Sequence, residues 1–236
     1  MGTSWASVIT DDAMLVINDL RLNRELSENP ALFFRKMSLY MKNAIARFNR
    51  PPEIRNWLSY TAPTFDAFTY TTSEEAQSDI TITNTAMTGY DLMSAGTVTE
   101  DVYGNPSYTA FTGASYDSET GTITISASSD APVAAGTVLS FDFYTDGTFT
   151  NDLTDAQRRI LALCLQYTWE LNFANDWLNR VPRAKDRSFD AGNVANQTRA
   201  NTERLNAVKR ALDDAMAAYS QNCAYVTGVK AENRLY

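Results

Sequence analysis

The chain has 236 residues, of which 44% are hydrophobic and 11% aromatic, enough apolar side chain for a folded core and too much for general disorder. Its formal net charge of −8 argues against non-specific binding of nucleic acid or of an anionic membrane by the chain as a whole. Histidine is absent, which removes the commonest general base, the usual zinc ligand and the imidazole of a catalytic triad.

The charge is unevenly distributed along the chain. Residues 56–157 contain 14 acidic residues and no lysine or arginine, whereas the rest of the chain contains 14 acidic and 20 basic residues. The two parts therefore carry net charges of −14 and +6. This split predicts separate surfaces with separate neighbours, and indicates an acidic domain inserted between the two halves of a helical domain.

The first segment has helical spacing. Residues 4–22 are predicted to form a helix that buries five apolar side chains: Trp5, Val8, Ile9, Leu15 and Ile17. A polar loop is expected over 23–29. Asn29-Pro30 then predicts the start of a second helix over 30–48, because proline at the first helical position gives up only an N–H that has no partner.

Short alternating runs of apolar and polar residues follow and predict an antiparallel β domain. The expected strands are 65–72, 79–84, 97–103, 107–112, 122–127 and 137–145. A hairpin loop is expected at 116–121, with Gly121 at positive φ. Six short strands joined by small turns predict a sandwich or a small barrel.

The chain then returns to helical spacing. Thr154 and Gln157 form a capping box, and the helix that it opens, over 155–178, is apolar on nearly every side. Such a helix belongs in the centre of a bundle or at a subunit interface. A basic loop, a helix over 194–222 and a C-terminal arm are expected after it. Cys164 and Cys223 are predicted to be buried free thiols.

No constellation of residues predicts catalysis, a cofactor or a bound metal. The acidic pairs Asp11-Asp12 and Glu74-Glu75 are adjacent in sequence, so their side chains point apart and are expected in solvent. Asp117 and Glu119 share a loop but lack the calcium-binding spacing of an EF-hand. No signal peptide and no apolar run of about 20 residues is visible, so we predict a soluble, cytosolically made protein that is not an enzyme.

We predict instead that the chain acts through its surfaces. The basic loop is expected to contact an acidic surface, including the acidic domain of a neighbouring subunit, and DNA phosphates are the alternative. The residues predicted at interfaces are Arg180, Arg183, Lys185, Arg187, Trp169, Trp177, Leu235 and Tyr236.

The helical segments resemble those of a known family. Asn29-Pro30-Ala31-Leu32-Phe33-Phe34 and the run over 44–53 resemble the start of tailed-bacteriophage head-to-tail connector proteins, the neck adaptor or head-completion proteins. Leu153-Thr154-Asp155, Ile160-Leu161-Ala162, Trp169 and the last long helix are similar to the C-terminal half of that group. The resemblance covers about half of the chain.

The resemblance implies a virion protein, assembled in the host cytoplasm, that forms a homo-oligomeric ring, often of twelve subunits. Its implied partners are the portal protein and tail or neck proteins, with DNA passing through without sequence-specific binding and no membrane involved. Two alternatives stay open. One is another tail, baseplate or capsid-decorating component, and the other is a carbohydrate-binding module that uses Tyr90, Tyr103, Tyr108 and Tyr116.

The predicted fold is therefore α+β. A helical bundle is formed by residues 1–62 and 151–222, an antiparallel β-sandwich or small barrel over 63–150 is inserted in it, and residues 223–236 form an arm. We expect the β domain to face outward, as a docking module for another virion protein.

Overall fold

The computed structural model describes residues 2–73, 79–100, 106–111, 113–126, 133–180 and 191–232. The chain is α+β, as predicted, with long helices and antiparallel sheets. It divides into two compact units. The helical unit comprises Met1–Asn23, Lys36–Thr61 and Thr148–Tyr236, and the sheet unit comprises Arg24–Arg35 and Ala62–Gly147. The sequence prediction had assigned the whole of 1–62 to the helical part.

The elements follow one another in chain order. The helices are α1 (Trp5–Ser7), a π-helix (Val8–Ala13), α2 (Met14–Ile17), α3 (Leu20–Glu28), α4 (Pro30–Arg47), α5 (Ile54–Trp57), α6 (Asp155–Arg180) and α7 (Ala191–Glu232), with a 3-10 turn at Thr85–Met87. The strands are β1 (Tyr60–Thr61), β2 (Thr64–Thr71), β3 (Asp79–Thr83), β4 (Asp91–Glu100), β5 (Pro106–Ala110), β6 (Ala114–Asp117), β7 (Thr122–Ser126), β8 (Val138–Thr145) and β9 (Thr148–Phe149).

The first predicted helix is interrupted. The Ser4 hydroxyl caps α1 by accepting the Ser7 N–H at 3.2 Å, and Asn18 ends α2 at a φ of +46°. Four of the five predicted core residues are buried, but Leu15 is 77% exposed and that prediction is wrong. The π-helix places an extra residue in its turn, which rotates the later side chains away from the face that regular helical spacing predicts.

The predicted polar loop over 23–29 is also wrong, because α3 occupies most of it. Two local interactions explain the helix. The Asp19 carboxylate accepts the Arg21 N–H at 2.9 Å at the N-terminal end, and Arg24 pairs with Glu28 one turn later at 2.7 Å. Both contacts are local and stabilise the helix, although the segment has few apolar side chains to bury.

Helix α4 begins where it was predicted. Asn29 accepts the Leu32 N–H through its side-chain oxygen at 3.0 Å, just before Pro30. Five apolar side chains of α4 and the following Phe48 are buried at helical spacing, whereas Leu32 and Leu39 are exposed; the five are Phe33, Phe34, Met37, Met41 and Ala44.

Helices α6 and α7 are the longest elements of the helical unit. The predicted capping box is present, since the Thr154 N–H donates to Gln157 Oε1 at 2.8 Å and the Gln157 N–H donates to Thr154 Oγ1 at 3.4 Å. The predicted last helix is longer than expected. It continues to Glu232, so most of the expected arm over 223–236 is helical. Cys164 is a buried free thiol as predicted, whereas Cys223 is only half-buried.

The sheet unit contains a four-stranded antiparallel sheet of order β2-β8-β4-β5 and a three-stranded one of order β3-β7-β6. One hydrophobic cluster joins residues of both sheets: Ile80, Ile82, Ile123 and Ile125 from the smaller, and Ala95, Leu139, Phe141 and Phe143 from the larger. Gly121 closes the β6–β7 hairpin at a φ of +69°, as predicted. Strand β6 was not predicted, and β4 begins at Asp91 instead of 97.

The two strands that flank the sheet unit in sequence pair with each other inside the helical unit. Tyr60 of β1 lies opposite Phe149 of β9, and the Thr150 N–H donates to the Ser59 carbonyl at 2.8 Å. The Trp5 ring packs against both aromatic residues, with centroids 4.9 Å from Tyr60 and 6.0 Å from Phe149. The two chain ends that flank residues 62–147 are therefore paired with each other within the helical unit.

Candidate interaction surface around Trp169

Trp169 is the one predicted interface residue whose side chain the structure describes, and it is half-buried on α6. Phe173 follows one helical turn later on the same face. The Arg21 guanidinium carbon lies 5.9 Å from the Trp169 ring centroid and 4.6 Å from that of Phe173. Lys36 Nζ lies 5.0 Å from the Trp169 ring. Arg21 and Lys36 are therefore attracted to these rings by cation–π interactions. Each such contact stabilises the fold by about 0.5–1 kcal/mol when it is exposed to solvent.

A carboxylate fixes one of these cations in place. Asp19 accepts two side-chain hydrogen bonds from Arg21, from Nε at 3.1 Å and from Nη2 at 2.7 Å. These hydrogen bonds lower the pKa of Asp19, against the opposing effect of its partial burial. The Tyr40 ring completes the cluster at 6.4 Å from Trp169. We call these six residues, Asp19, Arg21, Lys36, Tyr40, Trp169 and Phe173, the Trp169 cluster.

The residue after Trp169 faces α7. The Glu170 side chain is only 5% exposed, and its Oε1 lies 2.5 Å from Nη2 of Arg204, which is 55% exposed. This contact is an ion pair without hydrogen-bond geometry. Burial raises the pKa of Glu170, and Arg204 opposes that rise. The pair ties the first half of α7 to α6 at the same level as the Trp169 cluster.

Helix α6 is apolar but incompletely covered. Five of its apolar side chains are half-buried: Leu163, Tyr167, Trp169, Leu171 and Phe173. By contrast, Ile160, Leu161 and Leu165 of the same helix are buried. Half-buried aromatic side chains beside arginine have the composition of a protein–protein interface core, where aromatic residues and arginine are enriched.

Within the described ranges, no group of three or more Cys, Asp or Glu side chains is arranged to hold a metal ion. No described helix is long and apolar enough to cross a membrane. No family model, curated protein or solved structure matches this chain.

The structure describes the other predicted interface residues only in part. Trp177 and Arg180 lie in the last turns of α6, with side chains outside the described part. The basic loop and the C-terminal end lie outside the described residues altogether, which concerns Arg183, Lys185, Arg187, Leu235 and Tyr236.

Asp11, Asp12 and the loop residue Asp117 have side-chain partners in the fold. Arg158 pairs with Asp12 at 2.7 Å and approaches Asp11 at 3.9 Å, so this pair is not simply solvated as predicted. Glu74-Glu75 lie outside the described residues. Asp117 accepts the Thr120 hydroxyl at 2.8 Å and the Glu119 N–H at 3.0 Å, and the Thr120 hydrogen bond is the main cause of its lowered pKa.

The four tyrosines suggested for carbohydrate binding do not share one environment. The Tyr116 hydroxyl donates to the Met87 carbonyl, and its ring packs 5.1 Å from Phe143. Tyr90 packs against the same core cluster. Tyr108 is 43% exposed, and Tyr103 lies outside the described residues. Two of the three described rings thus serve the hydrophobic core.

Sequence reasoning identified Trp169 and missed the other five residues of the Trp169 cluster. The spacing of Trp169 and Phe173 is a local signal, because residues four apart share a helix face. Asp19, Arg21 and Lys36 reach the cluster from helices that are distant in sequence, and no local pattern connects them to α6.

Proposed function

We propose that this chain is a structural virion protein of a tailed phage, forming an oligomeric ring that joins the portal to the tail. The observation that carries the proposal is the incomplete burial of five apolar side chains of α6, on one face Leu163, Tyr167 and Leu171 and on another Trp169 and Phe173. A helical unit of this size that leaves five large apolar side chains half-covered has a surface suited to a second subunit. In a homo-oligomer each copy offers that surface to its neighbour.

The long last helix supports the same proposal. At 42 residues, α7 extends for about 63 Å at 1.5 Å per residue. Its described buried side chains are Val208, Leu212 and Met216, which form one narrow stripe. The described residues 198–207, in the first half of α7, contain no buried side chain, so this part of the helix has room to contact a neighbouring subunit.

In the proposed architecture a helical bundle carries an inserted antiparallel sandwich. The shared core of the two sheets supports the sandwich, and the pairing of β1 with β9 supports the insertion. The sheet unit contains 14 acidic and 2 basic residues. We assign it the role of an outward-facing docking module for a tail or neck protein, while DNA passes through the ring without sequence-specific binding and no reaction is catalysed.

The test is the mass and shape of the purified assembly. Native mass spectrometry and negative-stain electron microscopy, with and without the portal protein, are expected to show closed rings. Trp169→Ala is expected to weaken ring formation, whereas the control Trp169→Phe keeps an aromatic face for Arg21 and Lys36 and is expected to preserve it. A monomer under both conditions overturns the proposal.

A further inference from the structure

A second surface of the helical unit is strongly basic. The segment from the end of α4 to β1, residues 42–60, contains four cations and one acid: Lys42, Arg47, Arg50, Arg55 and Glu53. The bend after α4 and the short helix α5 present these side chains to solvent, and all four cations are exposed.

Three of these arginines line one continuous groove. Shallow depressions of roughly 550, 550 and 650 Å³ adjoin one another, because they share Ala46, Asn49 and Arg55. Their polar side chains are arginines and amides for the most part. We call this surface the arginine groove, with Arg47, Arg50, Arg55, Asn43, Asn49, Asn56 and Asn172 as its members.

The charge of the groove is uncompensated. In the part of the chain that the structure describes, no carboxylate lies within ion-pair distance of Arg47, Arg50 or Arg55. Arg158 and Arg204, by contrast, each pair with a carboxylate of the fold. Arg47 rests over the Tyr167 ring at 4.4 Å, a contact that orients the guanidinium without neutralising it.

We propose that the arginine groove binds the acidic sheet unit of a second copy of this chain. The inference rests on the proposed ring and names the contact that closes it. With 14 acidic against 2 basic residues, the sheet unit is the complementary anionic surface, and every copy supplies one. Arginine is the residue best shaped for this contact, since its planar fork binds a carboxylate through two hydrogen bonds.

The geometry of such a contact favours a ring. The groove and the sheet unit are two different surfaces of one chain, so their contact is head-to-tail. Head-to-tail contacts repeated around an axis form a closed ring when the rotation closes.

Nucleic-acid phosphate is the other anion that arginine and asparagine bind well. The sequence disfavours it here. The formal net charge of −8 argues against non-specific binding of nucleic acid by the chain as a whole. A carboxylate surface on an identical subunit is present at equal concentration in any assembly of this protein.

The experiment compares two charge-matched triple variants of the full chain by native mass spectrometry. The groove variant carries Arg47→Glu, Arg50→Glu and Arg55→Glu. The control changes three exposed cations of the same unit that lie outside the groove: Arg159→Glu, Lys209→Glu and Arg210→Glu. Far-UV circular dichroism checks that both fold. We expect the ring population of the groove variant to fall by about tenfold or more, while the control assembles like the wild type.

A mixing experiment identifies the partner. A sheet variant carries Asp66→Lys, Asp91→Lys and Glu119→Lys, at three exposed acids. The three changes lower the net charge of the sheet unit from −12 to −6, so each variant is expected to form fewer rings alone than the wild type, and the mixture is expected to form more rings than either variant alone. A mixture that forms no more rings than either variant alone overturns the assignment of the sheet unit as partner.

The remaining outcomes separate this inference from the proposed ring. If the wild type forms rings and the groove variant forms them equally well, the proposed groove contact is overturned and the proposed ring stands. A wild-type chain that forms no ring, with or without portal, overturns both. Fluorescence anisotropy tests the binding of duplex DNA. If DNA binds the wild type but not the groove variant, and the groove variant still forms rings, the groove contact is overturned and the groove is assigned to nucleic acid.

Discussion

Gln157 joins the start of α6 to α7, and its replacement by alanine is expected to destabilise the helical unit by about 2–3 kcal/mol. The side chain is 3% exposed. Its Oε1 accepts the Thr154 N–H, and its Nε2 donates to the Tyr219 hydroxyl, both at 2.8 Å. Loss of the cap costs about 1 kcal/mol, and the lost bond to a part-buried hydroxyl costs about 1–2 kcal/mol.

A double-mutant cycle isolates the second bond. Tyr219→Phe removes only the hydroxyl and is expected to cost about 1 kcal/mol. The pair Gln157→Ala and Tyr219→Phe is expected to cost about 1 kcal/mol less than the sum of the single changes, since both remove the same bond. Gln157→Glu is the matched control. It keeps an acceptor for the Thr154 N–H and accepts from the phenol, so its loss is smaller.

Urea unfolding followed by tryptophan fluorescence measures these changes. All four tryptophans, Trp5, Trp57, Trp169 and Trp177, belong to the helical unit, so their emission reports on that unit alone. In each variant the urea concentration at the unfolding midpoint is expected to be lower than in the wild type, with an unchanged m value. Strict additivity of Gln157→Ala and Tyr219→Phe would refute the reasoning, because it would show that the two side chains do not interact.

Three further predictions concern single sites. Burial raises the pKa of Cys164 to about 12, so a thiol reagent is expected to titrate only Cys223 in the native chain and both thiols in urea; two fast native thiols would contradict this. Gly121→Ala and Gly136→Ala both place alanine at a φ near +70°, at a cost of about 1 kcal/mol. Of these two variants, only Gly121→Ala also brings the new Cβ within 2.3 Å of a backbone carbonyl oxygen. Its loss of unfolding free energy is therefore expected to exceed that of Gly136→Ala by about 1 kcal/mol or more, measured by urea unfolding followed by circular dichroism. Equal losses would show that the collision has no effect on stability. Because the pKa of Asp19 is lowered in the folded chain, Asp19→Asn is expected to cost about 1 kcal/mol at neutral pH. That difference from the wild type is expected to vanish as the pH falls through the folded pKa; a pH-independent difference in unfolding free energy would show that the charge is not its cause.

The parts of the fold that the sequence predicted correctly are those governed by local chemistry. The start of α4 follows from Asn29-Pro30 and the start of α6 from the Thr154 capping box, since each signal lies within a few residues of the helix that it begins. Strands with clear alternation, such as β7 and β8, were placed within a residue or two. In these segments the local preference and the tertiary structure agree.

The failures have different physical causes. Helix α3 was taken for a loop because its residues are polar, although Asp19 and the Arg24–Glu28 pair stabilise it locally. The exposure of Leu15 follows from a π-helix, which no hydrophobic period predicts. Strands β1 and β9 have two residues each and exist only because they pair across the whole sheet unit.

The candidate site divides in the same way. The apolar character of α6 identified Trp169 from sequence, because the helix has more apolar side chains than its own unit covers. The arginine groove was not identified, since it combines the end of α4, the following bend and Asn172 of α6. Only the folded chain brings those residues together, and among the residues that the structure describes their charge has no carboxylate partner.

The position of this chain in a reconstructed tailed-phage particle tests the central proposal most directly. In cryo-electron microscopy of particles that contain the protein, we expect a ring of density between portal and tail that fits α6 and α7. Density for the chain anywhere else in the particle, such as on the capsid surface or the tail tip, would contradict the assignment.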